Sequence, residues 1–228
     1  HSHLFRKNKI PWYVRRALSG MDKRKFILEA GCGAGFIVNA LVTKKFNVVG
    51  IDYAQKTVNL LNKMFPDLPF FCQDVRKLGF RDNIFDAYLS LGVIEHFLDE
   101  SQAQATINEA VRVTKPGGIL FFSVPFTNCL RQQKIEKGVY PKVGSLEQDF
   151  YQRSYTFDQL KELFSGQPLR LAEVICYDAE AGIFREKQRH FFLRKGVVSK
   201  YALKILERYT NTCSKYAHML GFKLINTK

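Results

Sequence analysis

The chain has 228 residues, of which 46% are hydrophobic and 14% aromatic, and its formal net charge at pH 7 is +14. This length and composition are enough for the core of one globular domain. The 5 cysteines are widely spaced and odd in number, which argues against a disulfide framework and a zinc site. No run approaches the roughly 18 apolar residues of a membrane-spanning helix. We therefore expect a soluble, cytoplasmic protein without a bound metal.

The positive charge is unevenly distributed. Residues 1–26 carry eight basic and one acidic side chain, residues 27–126 carry nine and ten, and residues 127–228 carry eighteen and ten. Two basic segments therefore flank a nearly neutral centre. Such segments attract anionic small molecules, nucleic acid or anionic lipid, but a solvated face that only keeps the protein soluble explains them equally well.

The first half of the chain alternates short apolar runs with helical patterns. The runs predict strands at 26–30, 48–52, 69–73, 85–91 and 119–125, with helices from 36, at 55–65 and at 101–113 between them. Strands that alternate with helices are typical of a doubly wound, mostly parallel α/β sheet with helices on both faces. Residues 127–150 break this rhythm and predict an inserted loop over the carboxyl edge of the sheet, where ligands of such folds bind.

The last third of the chain is expected to complete the sheet. Thr156 and Gln159 have capping-box spacing and predict a helix to about Phe164, followed by a strand at 169–177. Apolar residues at helical spacing, with lysine and arginine on another face, predict a basic helical insertion at about 185–212. A final strand at 217–225 is expected to pair antiparallel with 169–177, which gives seven strands.

A glycine loop, Gly31–Gly35, follows the first predicted strand and opens a helix. Glycines let the backbone turn sharply and let a ligand approach the main chain, and a helix N-terminus offers unpaired amide donors. The dinucleotide-binding fingerprint needs glycine at the position of Phe36, so a pyrophosphate site is disfavoured. Glu29 stands at the mouth of the loop, where a carboxylate repels phosphate and suits a positively charged ligand.

The segment Ile27–Gly35 resembles the first motif of the class I S-adenosylmethionine-dependent methyltransferases, of small-molecule type. Further segments agree with that family in the same order along the chain: Ile51-Asp52, Cys72–Val75, Phe85–Phe97 and Lys115–Gly118 before the strand at 119–125. The resemblance covers roughly residues 26–178. It implies S-adenosylmethionine as the cofactor and methyl transfer as the activity.

The resemblance also implies which residues bind the cofactor. Asp52 is expected to accept both ribose hydroxyls, which suits the two oxygens of a carboxylate. Asp74 is expected to bind the exocyclic amine of adenine, with Val75 beside it, and the end of the fourth strand to line the methionine portion. The full expected set is Glu29, Gly31, Cys32, Gly33, Gly35, Asp52, Tyr53, Asp74, Val75, Ser90 and Leu91.

The acceptor side is predicted from chemistry and charge. Methyl transfer depends chiefly on holding the acceptor in line with the methyl carbon, so a protein base is not always required. For a hydroxyl acceptor, His96 or Tyr13 could assist proton removal as a catalytic residue. We expect a basic arm, residues 1–25, and the helix near 198–212 to form a lid that selects an anionic small-molecule acceptor. Residues 26–228 then form the single methyltransferase domain.

Alternatives to a small-molecule methyltransferase stay open. An RNA methyltransferase would use the basic flanks to bind nucleic acid, but Ser90–Val93 stands where N-P-P-Y or D-P-P-Y is expected, and no Pro-Cys nucleophile is present. A non-catalytic module would retain the fold and bind a partner or an anionic membrane surface through Lys200, Lys204 and Arg208. A nicotinamide-dependent oxidoreductase is the least favoured reading.

Overall fold

The computed structural model describes residues 9–139, 152–179 and 216–228. Its strands are β1 (Phe26–Ala30), β2 (Asn47–Asp52), β3 (Phe70–Cys72), β4 (Phe85–Leu91), β5 (Thr114–Pro125), β6 (Leu169–Tyr177) and β7 (Met219–Asn226). Its helices are α1 (Trp12–Ala17), α2 (Phe36–Thr43), α3 (Gln55–Met64), a 3₁₀ turn (Ile94–His96), α4 (Glu100–Val113), α5 (Cys129–Glu136) and α6 (Phe157–Leu163). The predicted basic helix at 185–212 lies outside these ranges. None of the described helices has the length and apolar content to cross a bilayer.

The seven strands form one sheet in the order β3-β2-β1-β4-β5-β7-β6. Strands β1 to β5 pair in parallel, whereas β7 runs antiparallel to both β5 and β6. Because β6 therefore runs in the same direction as β5, the carboxyl ends of all strands except β7 lie at one edge. We call this edge the carboxyl edge. The predicted mostly parallel, seven-stranded sheet with an antiparallel last pair is confirmed.

Helices cover both faces because successive strand residues point to opposite sides of the sheet. Helices α4 and α6 pack on one face, where the buried residues include Leu28, Tyr88, Phe122, Ile107 and Leu160. Helices α1, α2 and α3 pack on the other face, where the buried residues include Ile27, Leu89, Val14, Leu41 and Leu61. Burying each large apolar side chain contributes about 1.5–3 kcal/mol to stability. The doubly wound architecture predicted from the alternating pattern is thus confirmed.

Strand β5 begins earlier than predicted. Lys115–Gly118 was expected to form a turn before the strand, but β5 already pairs with β4 at Thr114. The extra residues bulge out of the ladder, because the pairing passes directly from Phe85 opposite Thr114 to Ala87 opposite Ile119. The Pro-Gly-Gly sequence therefore forms a bulge inside β5 and not a turn before it.

The first part of the predicted insert at 127–150 contains a helix, so its interpretation as a loop was wrong there. Asn128, which is fully buried, caps α5: its Oδ1 accepts the backbone N–H groups of Leu130 and Arg131 at 3.0 and 2.9 Å. Its Nδ2 donates to the carbonyl of Ala217 at 2.9 Å. None of the residues of α5 is itself buried. The helix is thus held by a buried cap and lacks the apolar stripe that sequence patterns detect.

Replacing this cap should destabilise the whole domain. Asn128→Ala removes the acceptor for two amides and leaves the Ala217 carbonyl without its donor, so we expect a loss of about 2–3 kcal/mol in the free energy of unfolding. Urea denaturation followed by circular dichroism measures this loss. Asn59→Ala, on the exposed side of α3, is the matched control and should change stability by less than about 0.5 kcal/mol. Equal effects of the two variants would contradict the role of the buried cap.

Candidate functional site

The carboxyl edge of the sheet brings the predicted cofactor-binding residues together. In the parallel ladders, Ala30 at the end of β1 lies opposite Ile51 of β2 and opposite Ser90 of β4. Asp52 lies opposite Cys72, the last residue of β3. Each predicted residue stands in the last two residues of one of these four strands or in the segment that follows it. The sequence motifs, although far apart in the chain, therefore share one edge.

The glycine loop has a closed side and an open side. Gly31 has a φ of +78°, and a Cβ there would lie 2.4 Å from Val93 Cγ2, so no side chain fits. Gly33 has a φ of +50°, but nothing lies within 4 Å of its Cβ position. The amides of Gly31 and Cys32 donate to the carbonyl of Ile51 at 2.9 and 2.8 Å, which ties the loop to β2. The space over Gly33 is therefore the part of the loop that a ligand can occupy.

Asp52 is oriented by the backbone on both sides. Its Oδ2 accepts the N–H of Gly33 at 2.9 Å, and its Oδ1 accepts the N–H of Ala54 at 2.9 Å. Each carboxylate oxygen can accept a further hydrogen bond, which is what a vicinal diol requires. Tyr53 beside it is 76% exposed, so a broad aromatic surface borders the carboxylate on the solvent side.

Glu29 lies beneath the loop and not at its open mouth. It is only 3% exposed, and its Oε2 accepts the N–H of Val38 in the first turn of α2 at 3.1 Å. Burial and the neighbouring Asp52 raise its pKa to about 8. A positive charge above the loop would favour the ionised form. Burial likewise raises the pKa of the Cys32 thiol, and Gly35 is buried at the start of α2.

Asp74 is hydrogen-bonded by Arg76, a residue that the sequence analysis did not identify. The Arg76 guanidinium bonds both carboxylate oxygens of Asp74, with Nη2 2.6 Å from Oδ2, and these bonds hold the pKa of Asp74 below its usual range. Arg76 also lies over the ring of Phe97, with 5.7 Å between the guanidinium carbon and the ring centroid. In the sequence, the two-residue spacing between Asp74 and Arg76 could have predicted this pair. The Val75 side chain packs in the core.

Two buried polar groups stand at and after the end of β4. Ser90 is 1% exposed and its Oγ has no hydrogen-bond partner among the described residues; the same holds for Oε2 of Glu95, which is 2% exposed. Burial raises the pKa of Glu95 to about 8. Because buried polar atoms are nearly always paired in native proteins, such atoms point to a ligand. Glu95 was not among the predicted site residues, whereas its predicted neighbour His96 is exposed and Leu91 half-buried.

Tyr13 lies at the β6 side of the carboxyl edge. Its ring stacks on Tyr177, with centroids 3.9 Å apart, and Trp12 meets both rings edge on. The Tyr177 hydroxyl shares a short hydrogen bond with Ser123 Oγ. Burial and the nearby Glu29 raise the pKa of Tyr13 to about 12. This pKa disfavours Tyr13 as a proton acceptor at neutral pH, and its catalytic role, like that of His96, stays a prediction.

The chemistry of the described residues fits S-adenosylmethionine. The loop is open where main-chain approach is expected, Asp52 presents two acceptors for a ribose, and buried Ser90 has an unused hydroxyl at the expected methionine end. Acidic rather than basic side chains, Glu29 and Asp52, lie nearest the loop. They suit a cationic ligand better than a pyrophosphate.

Comparisons with known proteins agree with this geometry. Residues 28–122 match the family model described as a methyltransferase domain. The chain is similar to a probable S-adenosylmethionine-dependent methyltransferase of Mycolicibacterium smegmatis, with 28% identity over 124 residues, 54% of this chain and 46% of that protein. It is also similar to probable tRNA methyltransferase 9B of Homo sapiens, with 33% identity over 111 residues, 49% of this chain and 24% of that protein. The chain thus spans less than half the length of these relatives.

The fold comparison covers nearly the whole chain. The crystal structure of the PH0226 protein from Pyrococcus horikoshii OT3 superposes with a TM-score of 0.64 at 18% identity, over 98% of this chain and 91% of that one. At this identity the likeness concerns the fold alone. The motifs, the sheet order, the open loop beside Asp52 and the family match all lead to the same assignment. Residues 28–122 thus match a methyltransferase domain, and the motifs and fold of the chain resemble those of the class I S-adenosylmethionine-dependent methyltransferases, whose cofactor is S-adenosylmethionine.

Proposed function

We propose that this chain transfers the methyl group of S-adenosylmethionine to a small-molecule acceptor. The observation that carries the proposal is the open surface over Gly33 beside the backbone-oriented carboxylate of Asp52. That pair provides a main-chain approach and a diol acceptor next to each other. When bound, the cofactor supplies an electrophilic methyl group on a sulfonium that leaves as a neutral thioether.

In this proposal, a residue at or after the end of each strand binds a different portion of the cofactor. Asp52 accepts the ribose hydroxyls, Asp74 accepts the adenine amine with the oxygen capacity that Arg76 leaves unused, and Ser90 Oγ bonds the methionine portion. These contacts hold the methyl group at a defined place on the carboxyl edge. Holding two reactants in line accounts for much of the acceleration of such a displacement.

The acceptor side lies toward β5, β6 and α1. Val14 and Ala17 of α1 are fully buried, so this helix is docked on the sheet. Arg16 forms an ion pair with Glu173 of β6, which fastens the arm across the sheet and neutralises one of its charges. In the proposal, the basic arm and the basic segment at 185–212 form the rim of a lid, and the acceptor enters beneath it near His96 and Tyr13.

A second candidate function is methylation of RNA. Two observations favour it: the net charge of +14, and the name of the human relative, probable tRNA methyltransferase 9B. A basic surface binds nucleic acid through phosphate contacts, which weaken steeply with salt. The small-molecule acceptor remains our proposal because none of the catalytic tetrapeptides of nucleic-acid methyltransferases follows β4.

A methyl group at Gly33 should block cofactor binding without unfolding the protein. Gly33→Ala places a carbon in the open space, and we expect affinity for S-adenosylhomocysteine to fall at least about 10-fold, or about 1.4 kcal/mol. Gly20→Ala is the matched control, because Gly20 has a φ of +79° and also nothing within 4 Å of its Cβ position. Both variants incur similar backbone strain, so calorimetric titration separates strain from blockage. Equal affinities of the two variants would refute an open cofactor surface at Gly33.

The Asp52 carboxylate should be required for the same affinity. In Asp52→Asn an amide nitrogen faces one of two backbone donors and one diol acceptor is lost, so we expect affinity for S-adenosylhomocysteine to fall about 10- to 100-fold. Asp67→Asn, an exposed change in the connection between α3 and β3, should leave the dissociation constant unchanged. Isothermal titration of both variants checks the expectation, and wild-type affinity in Asp52→Asn would exclude the ribose role.

The acceptor class can be determined with a labelled methyl group. The protein is incubated with methyl-labelled S-adenosylmethionine and either a small-metabolite extract or total tRNA, at low and at 0.3 M salt. We expect label in the small-metabolite fraction and little dependence on salt. Label in tRNA that disappears at high salt would replace the proposal with the second candidate. An absence of binding to S-adenosylmethionine and S-adenosylhomocysteine would leave the non-catalytic module.

A further inference from the structure

One carboxyl group at the carboxyl edge has unused hydrogen-bonding capacity. The oxygens of Asp52 accept backbone amides, and those of Asp74 accept the Arg76 guanidinium. Glu95 is more deeply buried than either, yet its Oε2 meets no hydrogen-bond donor among the residues that the structure describes. The carboxyl has a backbone hydrogen bond at Glu95 itself, but leaving its buried Oε2 without a donor is unfavourable, so a ligand that supplies a hydrogen bond would complete the group.

The position of this carboxyl group is set by the turn after β4. A Cβ at Gly92 would lie 3.3 Å from Glu95 Oε1, so the side chain folds back over the end of the strand. The N–H of Gly92 donates to the carbonyl of Ser123 in β5 at 2.9 Å, and the N–H of Arg153 donates to the carbonyl of Glu95 at 2.8 Å. The Glu95 backbone is therefore held between the end of β4 and the segment that leads into α6.

The same turn also touches the cofactor loop. Val93, which precedes the 3₁₀ turn, occupies the place of a Gly31 side chain. Glu95 follows Val93 by two residues in this turn. Its carboxyl acts on the hydroxyls of Tyr155 and Tyr177, which places it on the β6 side, where we propose that the acceptor enters.

We propose that Glu95 binds the reacting hydroxyl of the acceptor and takes its proton during methyl transfer. The inference rests on the proposed methyltransferase function. In the balanced step, an acceptor oxygen lone pair forms the bond to the methyl carbon. The carbon–sulfur bond breaks with its electrons going to sulfur, and the hydroxyl proton passes to the Glu95 carboxylate. The products are a methyl ether, a neutral thioether and a protonated Glu95.

The chemistry of this carboxyl group also restricts the acceptor. Its negative charge arises in a buried place, so an anionic reacting group beside it would be repelled. The reacting group is therefore a neutral hydroxyl, and any anionic part of the acceptor lies away from it, toward the basic rim. A carboxyl whose pKa is raised by burial is a stronger base than an ordinary glutamate and is better matched to a hydroxyl proton.

A cofactor analogue tests this placement without knowledge of the acceptor. Sinefungin carries an amino group at the position of the transferred methyl, whereas S-adenosylhomocysteine has nothing there. We expect Glu95→Gln to weaken sinefungin binding about 10- to 100-fold, because a charge-assisted hydrogen bond is lost, and to leave S-adenosylhomocysteine binding within about twofold. Glu100→Gln, an exposed change in the first turn of α4, is the matched control for both ligands.

The outcomes separate this inference from the function on which it rests. An unchanged ratio of the two affinities in Glu95→Gln, or an equal loss of both, overturns the role of Glu95. If the wild-type protein binds neither ligand, the proposed function itself fails. Thermal unfolding of each variant shows whether it is folded before it is titrated.

A pH series that compares the wild-type protein with Glu95→Gln gives a second measurement, because Glu29 beneath the loop also has a pKa raised to about 8 and titrates in the same range. Glu95 must ionise to bind the ammonium group, so the sinefungin preference over S-adenosylhomocysteine should rise about 10-fold between pH 6.5 and 8 and then level off. Tyr155 and Tyr177, which face Glu95, have raised pKa values and stay neutral in this range, and the Arg153 guanidinium also acts on Tyr155. His96 is on the same turn and is present in both proteins. A flat preference in the wild-type protein, or an equal rise in Glu95→Gln, overturns the inference.

Discussion

The parallel pairing of β1 with β2 and β4 is the constraint on which the rest of the site depends. Parallel strands end at the same edge, so the register that sets Ala30 opposite Ile51 and Ser90 also brings together the loop, the Asp52 carboxylate and the end of β4. The hydrogen bond from the Gly33 amide to Asp52 then joins two of these pieces directly. A shift of β1 by one residue would reverse which side chains face each core layer, so packing on both faces protects the geometry of the site.

The site is built from groups that are unfavourable in an empty protein. Glu29 and Glu95 are buried acids with pKa values raised to about 8, and Ser90 is a buried hydroxyl without a partner among the described residues. A raised carboxyl pKa lowers stability as pH increases from the usual value near 4.5 toward 8, because the folded state then binds more protons than the unfolded state. Ligands that supply positive charge or hydrogen bonds offset this cost, which links cofactor binding to stability.

Charged residues are distributed unevenly along the chain. The nearly neutral segment from 27 to 126 contains the glycine loop and the acids close to it. The basic segments come before and after it in the sequence. Their described helices are attached to the rest of the fold, since Arg16 of α1 pairs with Glu173 and the α5 cap Asn128 donates to the carbonyl of Ala217.

The cofactor was predicted from the resemblance of five ordered motifs to the class I methyltransferases. Local patterns in the sequence were sufficient for the strands, most helices and the sheet class, because apolar periodicity acts over a few residues. The strand bounds 85–91 and 169–177 and the capping box at Thr156 were correct for this reason. Helix α5 and the bulge in β5 were missed, since a buried cap and a ladder partner are distant in sequence. Likewise only the tertiary structure revealed the pairing of Arg76 with Asp74 and the buried Glu95 Oε2 that has no hydrogen-bond partner among the described residues. Burial and hydrogen-bond partners depend on what the folded chain brings near each atom, and a motif does not contain that information.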